Sequence, residues 1–164
     1  MKFTPQSIPD VLLIEPTIHS DGRGYFTETF RQDLFEDAIG YKVNFIQDNE
    51  SKSTKGVLRG LHYQLLPYTQ AKLVRVIEGS VLDVAVDIRK SSPTFGQHVA
   101  VELTAQNKHQ LFAPHGFAHG FVVFSDSATF AYKVDNYYSP NHDRGIAFDD
   151  DQLKIDWQLS AEEL

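Results

Sequence analysis

The stretch RGLHYQ, residues 59–64, combines a guanidinium, an imidazole, a phenol and an amide. His62 is its candidate for proton transfer, because an imidazole changes charge near neutral pH. It could also be a metal ligand, or a core histidine with a satisfied hydrogen bond. A base is the better interpretation if carboxylates and phenols converge on His62 in the folded chain.

Lys72, Tyr132 and Tyr138 lie in or beside strand-like stretches, and each has a structural and a chemical interpretation. Lys72 shares a strand face with Val74 and Val76. It is either an edge lysine that reaches solvent or a fixed cation that stabilises an enolate. The two phenols either belong to an aromatic core or act on a substrate, Tyr132 as a proton donor.

The segment PHGFAHGF supplies His115 and His119. A cupin-type metal site would take imidazoles from such a segment, together with an H-x-H pair and a carboxylate from an earlier motif. LHYQ provides a single imidazole, which disfavours a metal site. We expect neither a metal nor another cofactor. A metal-dependent cupin using His62, His115 and His119 is the open alternative. His119 is expected to be structural or to contact substrate, and His115 to lie at the surface.

Arg23, Gln47, Asn49 and Arg59 occupy turn-like or strand-end positions. They are either solvated polar residues or part of a clamp for a diphosphate, whose geometry the arginine fork matches. The sequence has no G-x-S-x-G, P-loop, G-x-G-x-x-G or H-E-x-x-H motif. These absences argue against the common hydrolase, NTPase, Rossmann and metalloprotease classes.

The composition narrows the class further. The 164 residues suit one domain, 1–164, and a formal charge of −7 disfavours a broad nucleic-acid-binding surface. The chain has no cysteine, which fits a reducing compartment. The N-terminus has no apolar signal-peptide core and no apolar run is long enough to cross a membrane. We therefore expect a cytoplasmic protein without membrane or nucleic-acid partners.

Short strands and turns account for most of the chain. RQDLFEDAIG, residues 31–40, predicts one internal helix with its final glycine as the C-cap. VLLIEPTI, 11–18, predicts a strand broken at its proline, SDGRGYF, 20–26, a turn, and EGS, 78–80, a tight hairpin. The pattern predicts an all-β fold, a β-sandwich or barrel with one or two short helices.

Strand alternation places single polar residues on otherwise apolar faces. Asp83 falls on the same face as Val81, and His119 on the same face as Phe121. Burying such groups is costly unless they are paired. One polar residue on each of several strands therefore predicts a barrel lined by a reactive pocket.

Six segments resemble the dTDP-4-dehydrorhamnose 3,5-epimerase family. The segments are SDGRGYFTETF, FIQDNESKS, VLRGLHYQ, AKLVRVIEGSVLDVAVDIRKSSPTFGQ, LFAPHGFAHGFVVFS and YKVDNYYSP, and the resemblance as a whole runs in order from about residue 8 to Trp157. The resemblance implies a cupin-type jelly roll that forms a homodimer and needs no metal. It also implies inversion of carbons 3 and 5 of dTDP-4-dehydro-6-deoxyglucose, which gives dTDP-4-dehydro-L-rhamnose for deoxysugar and polysaccharide biosynthesis.

The resemblance also implies a role for each candidate residue. His62 matches the base, Lys72 the cation near the ketone oxygen, and Tyr132 the phenol that returns a proton from the opposite face. Arg23 and Glu28 match nucleotide-binding positions that are partly supplied by the neighbouring subunit. Sugar or diphosphate contacts are implied for the other matched residues, Gln47, Asn49, Arg59, His119 and Tyr138. Such chemistry is feasible because an enolate spreads the charge left beside a ketone.

Two positions depart from the family pattern. His19 stands where the family usually has an aromatic residue beside the nucleotide, so base stacking is expected to be weaker or altered. The family also has an Asp near its C-terminus that pairs with the base. This sequence ends at WQLSAEEL, in which Ser160 and Glu163 form a capping-box pattern that opens a helix. We expect a missing tail and hypothesise that Asp83 replaces that Asp as the partner of His62.

Two alternatives share the same residues. One is a mono-epimerase that inverts carbon 3 or carbon 5 only, on a related dTDP-4-keto-6-deoxyhexose. The other is a homologue that binds the sugar nucleotide without turnover. Deuterium incorporation from solvent at each carbon separates these from the double epimerase.

Overall fold

The structure is a computed structural model that describes residues 1–160 and 162–164. Its α-helix, α1, spans Gln32–Ile39. The strands are Lys2–Pro5 (β1), Leu12–Glu15 (β2), Ile18–Asp21 (β3), Gly24–Thr27 (β4), Gln47–Thr54 (β5), Leu58–Gln64 (β6), Lys72–Glu78 (β7), Ser80–Asp87 (β8), His98–Thr104 (β9), Gln110–Ala113 (β10), Phe117–Val123 (β11), Ser127–Val134 (β12) and Asp143–Gly145 (β13).

Two antiparallel sheets form a sandwich. The six-stranded sheet has the order β1-β2-β10-β7-β12-β5, and the five-stranded sheet has the order β13-β6-β11-β8-β9. Strands that are neighbours in space are mostly distant in sequence, as in β2 with β10 and β6 with β11. The expected all-β fold of jelly-roll type is confirmed.

The main apolar core lies between the sheets and follows the predicted alternation. On β8, Val81 and Ala85 pack into this core, whereas Leu82 and Val84 pack on the outer face of the five-stranded sheet. The side chains of β11 alternate in the same way, and Phe121 points into the sandwich. Side chains at alternate positions therefore reach either the interior or the outside, and the polar ones among the inward set have to line a cavity or find partners.

Each sheet is also covered on its outer face. Helix α1 packs Phe35 edge-on against Phe112 of the six-stranded sheet, with ring centroids 4.9 Å apart. The helix ends where predicted, because Gly40 adopts a left-handed conformation (φ 79°) and its N–H donates to the Glu36 carbonyl. Trp157 packs on the five-stranded sheet and donates its indole N–H to the Phe148 carbonyl at 2.9 Å.

Two predicted turns are different in the structure. The segment 78–80 does join two strands, but β7 and β8 belong to different sheets, so the predicted hairpin is wrong. Gly79 (φ 81°) makes a corner there, and a Cβ on it would lie 2.1 Å from the Ser127 carbonyl oxygen. The segment 20–26 is more than a turn: it forms most of the β3–β4 hairpin.

The C-terminal residues show one of the two reciprocal contacts of the predicted capping box. The Glu163 carboxylate accepts hydrogen bonds from the Ser160 backbone N–H and hydroxyl, both at 3.1 Å. The intervening Ala161 lies outside the described residues, and the described residues around it form turns. Within the described ranges, no helix has the length and apolar character that a membrane crossing requires.

Candidate active site

A cavity of about 300 Å³ opens between the two sheets at one end of the sandwich. Six predicted site residues line it: Arg59, His62, Lys72, His119, Tyr132 and Tyr138. They come from β6, β7, β11, β12 and the segment after β12, so residues up to 79 positions apart in the chain meet here. Phe121 and Phe130 form its apolar floor, with stacked ring centroids 4.1 Å apart.

His62 lies on the five-stranded sheet, on the cavity side of β6. Its cross-strand partner on β11 is His119, and this pairing needs close approach of the two strands. Gly60 permits that approach, because it has a φ of 130° and a Cβ there would lie 2.5 Å from the Gly120 Cα. Partial burial lowers the pKa of His62 below its ordinary value, although the Asp143 carboxylate opposes the shift. The neutral imidazole favoured at pH 7 can accept a proton.

Lys72 and Tyr132 lie on the opposing six-stranded sheet. They occupy the neighbouring strands β7 and β12, where Tyr132 is paired with Val74, two residues from Lys72. Burial lowers the pKa of Lys72 to about 8, so the ammonium still predominates at pH 7. Burial also raises the pKa of Tyr132, against the opposing effects of Arg59 and of a hydrogen bond from Asn49, so the phenol keeps its proton. The cavity thus has a neutral imidazole on one wall and an ammonium with a phenol on the other.

Asp83 is fully buried and contacts His119. The His119 Nε2 lies 2.8 and 3.0 Å from the two Asp83 carboxylate oxygens. The hypothesis that Asp83 pairs with His62 is therefore wrong. The reason is strand order: β8 neighbours β11, which carries His119, and β11 separates β8 from β6. Asp83 acts on the cavity through His119 and by helping to keep Lys72 charged, since its carboxylate raises the pKa of that lysine.

A polar row on β5 extends from the cavity. Gln47, Asn49, Ser51 and Ser53 alternate with exposed residues and share one face of this edge strand. Ser51 lines the cavity, and the Ser53 hydroxyl accepts a 2.9 Å hydrogen bond from Arg59 Nε. Gln47 donates to the Asn49 side chain at 2.8 Å. The row places the two predicted substrate contacts, Gln47 and Asn49, next to the cavity rather than in its lining.

Two predicted nucleotide contacts lie elsewhere. Arg23 is in the turn of the β3–β4 hairpin, where it bonds to Asp21, and its side chain is 92% exposed. Glu28 follows the hairpin and lies 3.8 Å from Arg31. Neither lines the cavity within one chain. His19 also lies on this hairpin and stacks on Phe26 with ring centroids 6.5 Å apart.

The structure adds three polar lining residues that we did not predict: Ser51, Gln70 and Asp143. The alternation of β5 is the signal for Ser51, because it places this residue on the same face as Gln47 and Asn49. Asp143 begins a three-residue strand inside a turn-rich stretch, PNHDRG, where no period of two or 3.6 residues is visible. Gln70 lies in the loop before β7, again without a periodic signal.

His115 lies outside the cavity lining. Its Nε2 lies 2.7 Å from Asp135 and its Nδ1 lies 3.3 Å from the Thr69 hydroxyl. The hydrogen bond from His115 to Asp135 raises the pKa of this histidine. The donor set His62, His115 and His119 is thus not brought together, and the described residues contain no group of three or more metal-type donors.

The sandwich and its cavity together define a jelly-roll protein whose cavity has an imidazole on one wall and an ammonium with a phenol on the other. The sequence model of one family, dTDP-4-dehydrorhamnose 3,5-epimerase, matches residues 5–163. The dTDP-4-dehydrorhamnose 3,5-epimerase of Shigella flexneri is 60% identical to this chain over 159 residues, which cover 97% of this chain and 88% of that protein. The chain therefore belongs to the dTDP-4-dehydrorhamnose 3,5-epimerase family, an enzyme family, and the expected resemblance is confirmed.

Solved structures give the same answer for the fold. The crystal structure of the dTDP-6-deoxy-D-glucose-3,5-epimerase of Legionella pneumophila in complex with dTDP-4-keto-L-rhamnose has a TM-score of 0.94 and 51% identity, covering 98% of this chain and 85% of that one. ChmJ, a 3'-monoepimerase of Streptomyces bikiniensis solved with dTDP-quinovose, has a TM-score of 0.87 and 36% identity, covering 92% and 76%. The cupin-like jelly roll is thus shared by double and single epimerases.

Proposed function

We propose that this chain is a 3,5-epimerase that converts dTDP-4-keto-6-deoxyglucose to dTDP-4-keto-L-rhamnose. The observation that carries the proposal is the opposed placement of His62 and Tyr132 on the two sheets of one cavity. An epimerase has to take a proton from one face of a carbon and return a proton to the other face. The substrate class is inferred from family membership, and the proton transfers are inferred from the groups on the two walls.

The first step is proton removal beside the ketone. The neutral His62 imidazole takes the proton from carbon 3 or carbon 5, and the electron pair of that C–H bond forms the carbon–carbon double bond of an enolate. Negative charge moves to the former ketone oxygen. Lys72 stabilises this oxygen, because an ammonium enclosed by protein interacts with a developing anion more strongly than one in water.

The second step is proton return from the opposite wall. Tyr132 gives its phenolic proton to the carbon, the enolate electrons form the new C–H bond, and the ketone is regenerated with inverted configuration. Burial keeps Tyr132 protonated until this step by raising its pKa. The imidazolium of His62 and the phenolate of Tyr132 then exchange protons with solvent, which restores both groups for the second carbon.

The remaining polar residues are proposed to hold the substrate. Arg59, fixed by its bond to Ser53, is suited to the diphosphate, and His119, fixed by Asp83, is suited to the sugar or the diphosphate. Tyr138 lies at the cavity rim with 58% of its surface exposed and can close over the sugar.

We propose that Arg23 and Glu28 serve the nucleotide site of a second copy of the chain. Within one chain the β3–β4 hairpin stands out from the sandwich, with Tyr25 59% and Phe26 67% exposed, so it is available to a neighbour. This exposure supports a homodimer. We also propose that each subunit is a single domain and that the enzyme works in the cytoplasm. Light scattering coupled to size exclusion would measure the oligomeric state, and a monomer at micromolar concentration would contradict this part of the proposal.

The test of the function is a comparison of the wild type with His62→Asn, each incubated with dTDP-4-keto-6-deoxyglucose. NMR of the product sugar reads the configuration of both carbons, which also distinguishes a mono-epimerase. We expect the wild type to invert both and the variant to lose at least about 100-fold in rate. His98→Asn, which removes an imidazole on β9 outside the cavity lining, is the matched control. Calorimetry with dTDP should show retained binding in both variants.

A further inference from the structure

Basic side chains outnumber acidic ones in the cavity lining. Its described lining contains two basic side chains, Arg59 and Lys72, and two imidazoles, His62 and His119. Asp143 is the one carboxylate in that lining. Asp83 lies behind His119, and both of its carboxylate oxygens contact the His119 Nε2 atom. Asp143 therefore differs from Asp83 in facing the open cavity.

Backbone pairing fixes the position of Asp143. β13 pairs antiparallel with β6, so that Asp143 lies opposite Gln64 and Gly145 lies opposite His62. Asp143 is thus held at the strand that carries His62. On its other side the Tyr138 hydroxyl lies 3.5 Å from an Asp143 carboxylate oxygen. Asp143 thus lines the cavity from the strand beside the one that carries His62, and it adjoins Tyr138.

A negative charge at this place is unfavourable for binding a diphosphate, because like charges repel. A lining selected only for affinity toward dTDP would be expected to carry a neutral residue here. The favourable partners of this charge are therefore groups other than the diphosphate. Two groups in the cavity can benefit, His62 and Lys72, since an anion favours the protonated forms of an imidazole and of an ammonium.

We propose that Asp143 is a positioning residue for the epimerisation, whose carboxylate strengthens His62 as a base and keeps Lys72 in its charged form. The proposal rests on the proposed function and adds a residue to it. In support, the Asp143 carboxylate raises the pKa of both His62 and Lys72, against the larger lowering effect of burial on each. The Asp83 carboxylate also raises the pKa of Lys72.

The predicted effect on pH dependence has a definite sign. Replacing the Asp143 carboxylate with an amide lowers the pKa of His62 and of Lys72 together. The acid limb of kcat/KM, which requires neutral His62, and the alkaline limb, which requires charged Lys72, both move to lower pH. The other titratable or charged groups that share or adjoin the cavity are Arg59 on β6, Asp83 on β8, His119 on β11, Tyr132 on β12 and Tyr138 at the rim.

The experiment compares the wild type with Asp143→Asn, Asp143→Glu and Asp149→Asn. Asp149 is exposed and outside the cavity lining, so its variant controls for the loss of one negative charge. We expect Asp143→Asn to lose about threefold or more of kcat/KM at pH 8.5, above the Lys72 pKa of about 8, and to lose less at pH 6. Asp143→Glu restores most of the alkaline activity, and the Kd for dTDP of Asp143→Asn is unchanged or lower.

A second measurement does not depend on turnover. NMR titration of the His62 imidazole in the ligand-free protein should show a lower pKa in Asp143→Asn than in the wild type. An unchanged titration, or a KM increase in Asp143→Asn with both pH limbs in place, would overturn the proposal and leave Asp143 as a sugar contact. A uniform loss of rate at every pH would also overturn it. Absence of turnover in the wild type would instead refute the proposed function, while the titration would still test the electrostatic coupling.

Discussion

Replacing Tyr132 with Phe should separate proton removal from inversion. The change deletes one hydroxyl from the wall of the six-stranded sheet and leaves the ring, which packs 6.0 Å from the Phe130 ring. His62 on the opposite wall is untouched. We therefore expect the variant to exchange protons beside the ketone with retained configuration, while inversion is lost.

Replacing Tyr132 with Phe should have a small effect on stability and a large effect on the rate of inversion. The variant loses the contact of the hydroxyl with Asn49, a loss of at most about 1 kcal/mol, which lowers the Tm by no more than about 2–4 °C in a chain of this size. Asn49 keeps its bond from Gln47 at 2.8 Å, which limits that cost. The loss of a general acid reduces inversion by about 10²–10⁴-fold, equivalent to about 3–5 kcal/mol of activation free energy. The catalytic effect should thus greatly exceed the structural one.

The assay is NMR in deuterium oxide, with the substrate signals followed for exchange and the product signals for inversion. Tyr63→Phe is the matched control, because Tyr63 packs on the outer face of the five-stranded sheet. Inversion by Tyr132→Phe within about tenfold of the wild-type rate would refute the assignment of the acid. Loss of exchange together with inversion, in a folded variant, would place Tyr132 in the first step instead.

Three further predictions follow from the charged groups. The wild-type kcat/KM should fall as pH rises through about 8, where Lys72 loses its proton, and Lys72→Met should lose about 10²–10³-fold at pH 7; a flat profile to pH 9.5 would contradict the role of the ammonium. Asp83→Asn should lower the free energy of unfolding by about 1–3 kcal/mol in urea titrations, because it weakens the buried contact with His119, and an unchanged midpoint would contradict that pairing. His115 has a raised pKa in the folded chain, so its bond to Asp135 contributes stability fully below the ordinary pKa of 6.5 and loses it as pH rises through the raised value. The Tm deficit of His115→Gln should therefore be larger at pH 5.5 than at pH 9, and a deficit independent of pH would contradict it.

The parts of the fold with clear periodicity could be predicted from the sequence. The alternation of β8 and β11 correctly placed Asp83 and His119 on the inner faces, and the helix at 31–40 ended at Gly40 as expected. On this helix Phe35 is buried, while the neighbouring Leu34 is exposed. Local patterns specify which way a side chain points, because that depends on the strand or helix period alone.

The pairing of strands could not be predicted in the same way. Whether Asp83 meets His62 or His119 depends on which strand lies next to β8, and the neighbours of a jelly-roll strand are distant in sequence. The crossing at Gly79 could not be predicted either, because a glycine between two strands suits both a hairpin and a crossing from one sheet to the other. Asp143 was missed because a three-residue strand is too short for any period to show.

In the proposed reaction, His62 removes a proton from each of two carbons of one sugar, and Tyr132 returns a proton to the opposite face of each carbon. The most direct measurement is NMR in deuterium oxide with the wild-type chain and dTDP-4-keto-6-deoxyglucose. Deuterium at both carbon 3 and carbon 5, in a product of inverted configuration, is the predicted result. Deuterium at one carbon only would contradict the double epimerisation, and no deuterium at either carbon, with dTDP still bound, would contradict the account of the cavity as a whole.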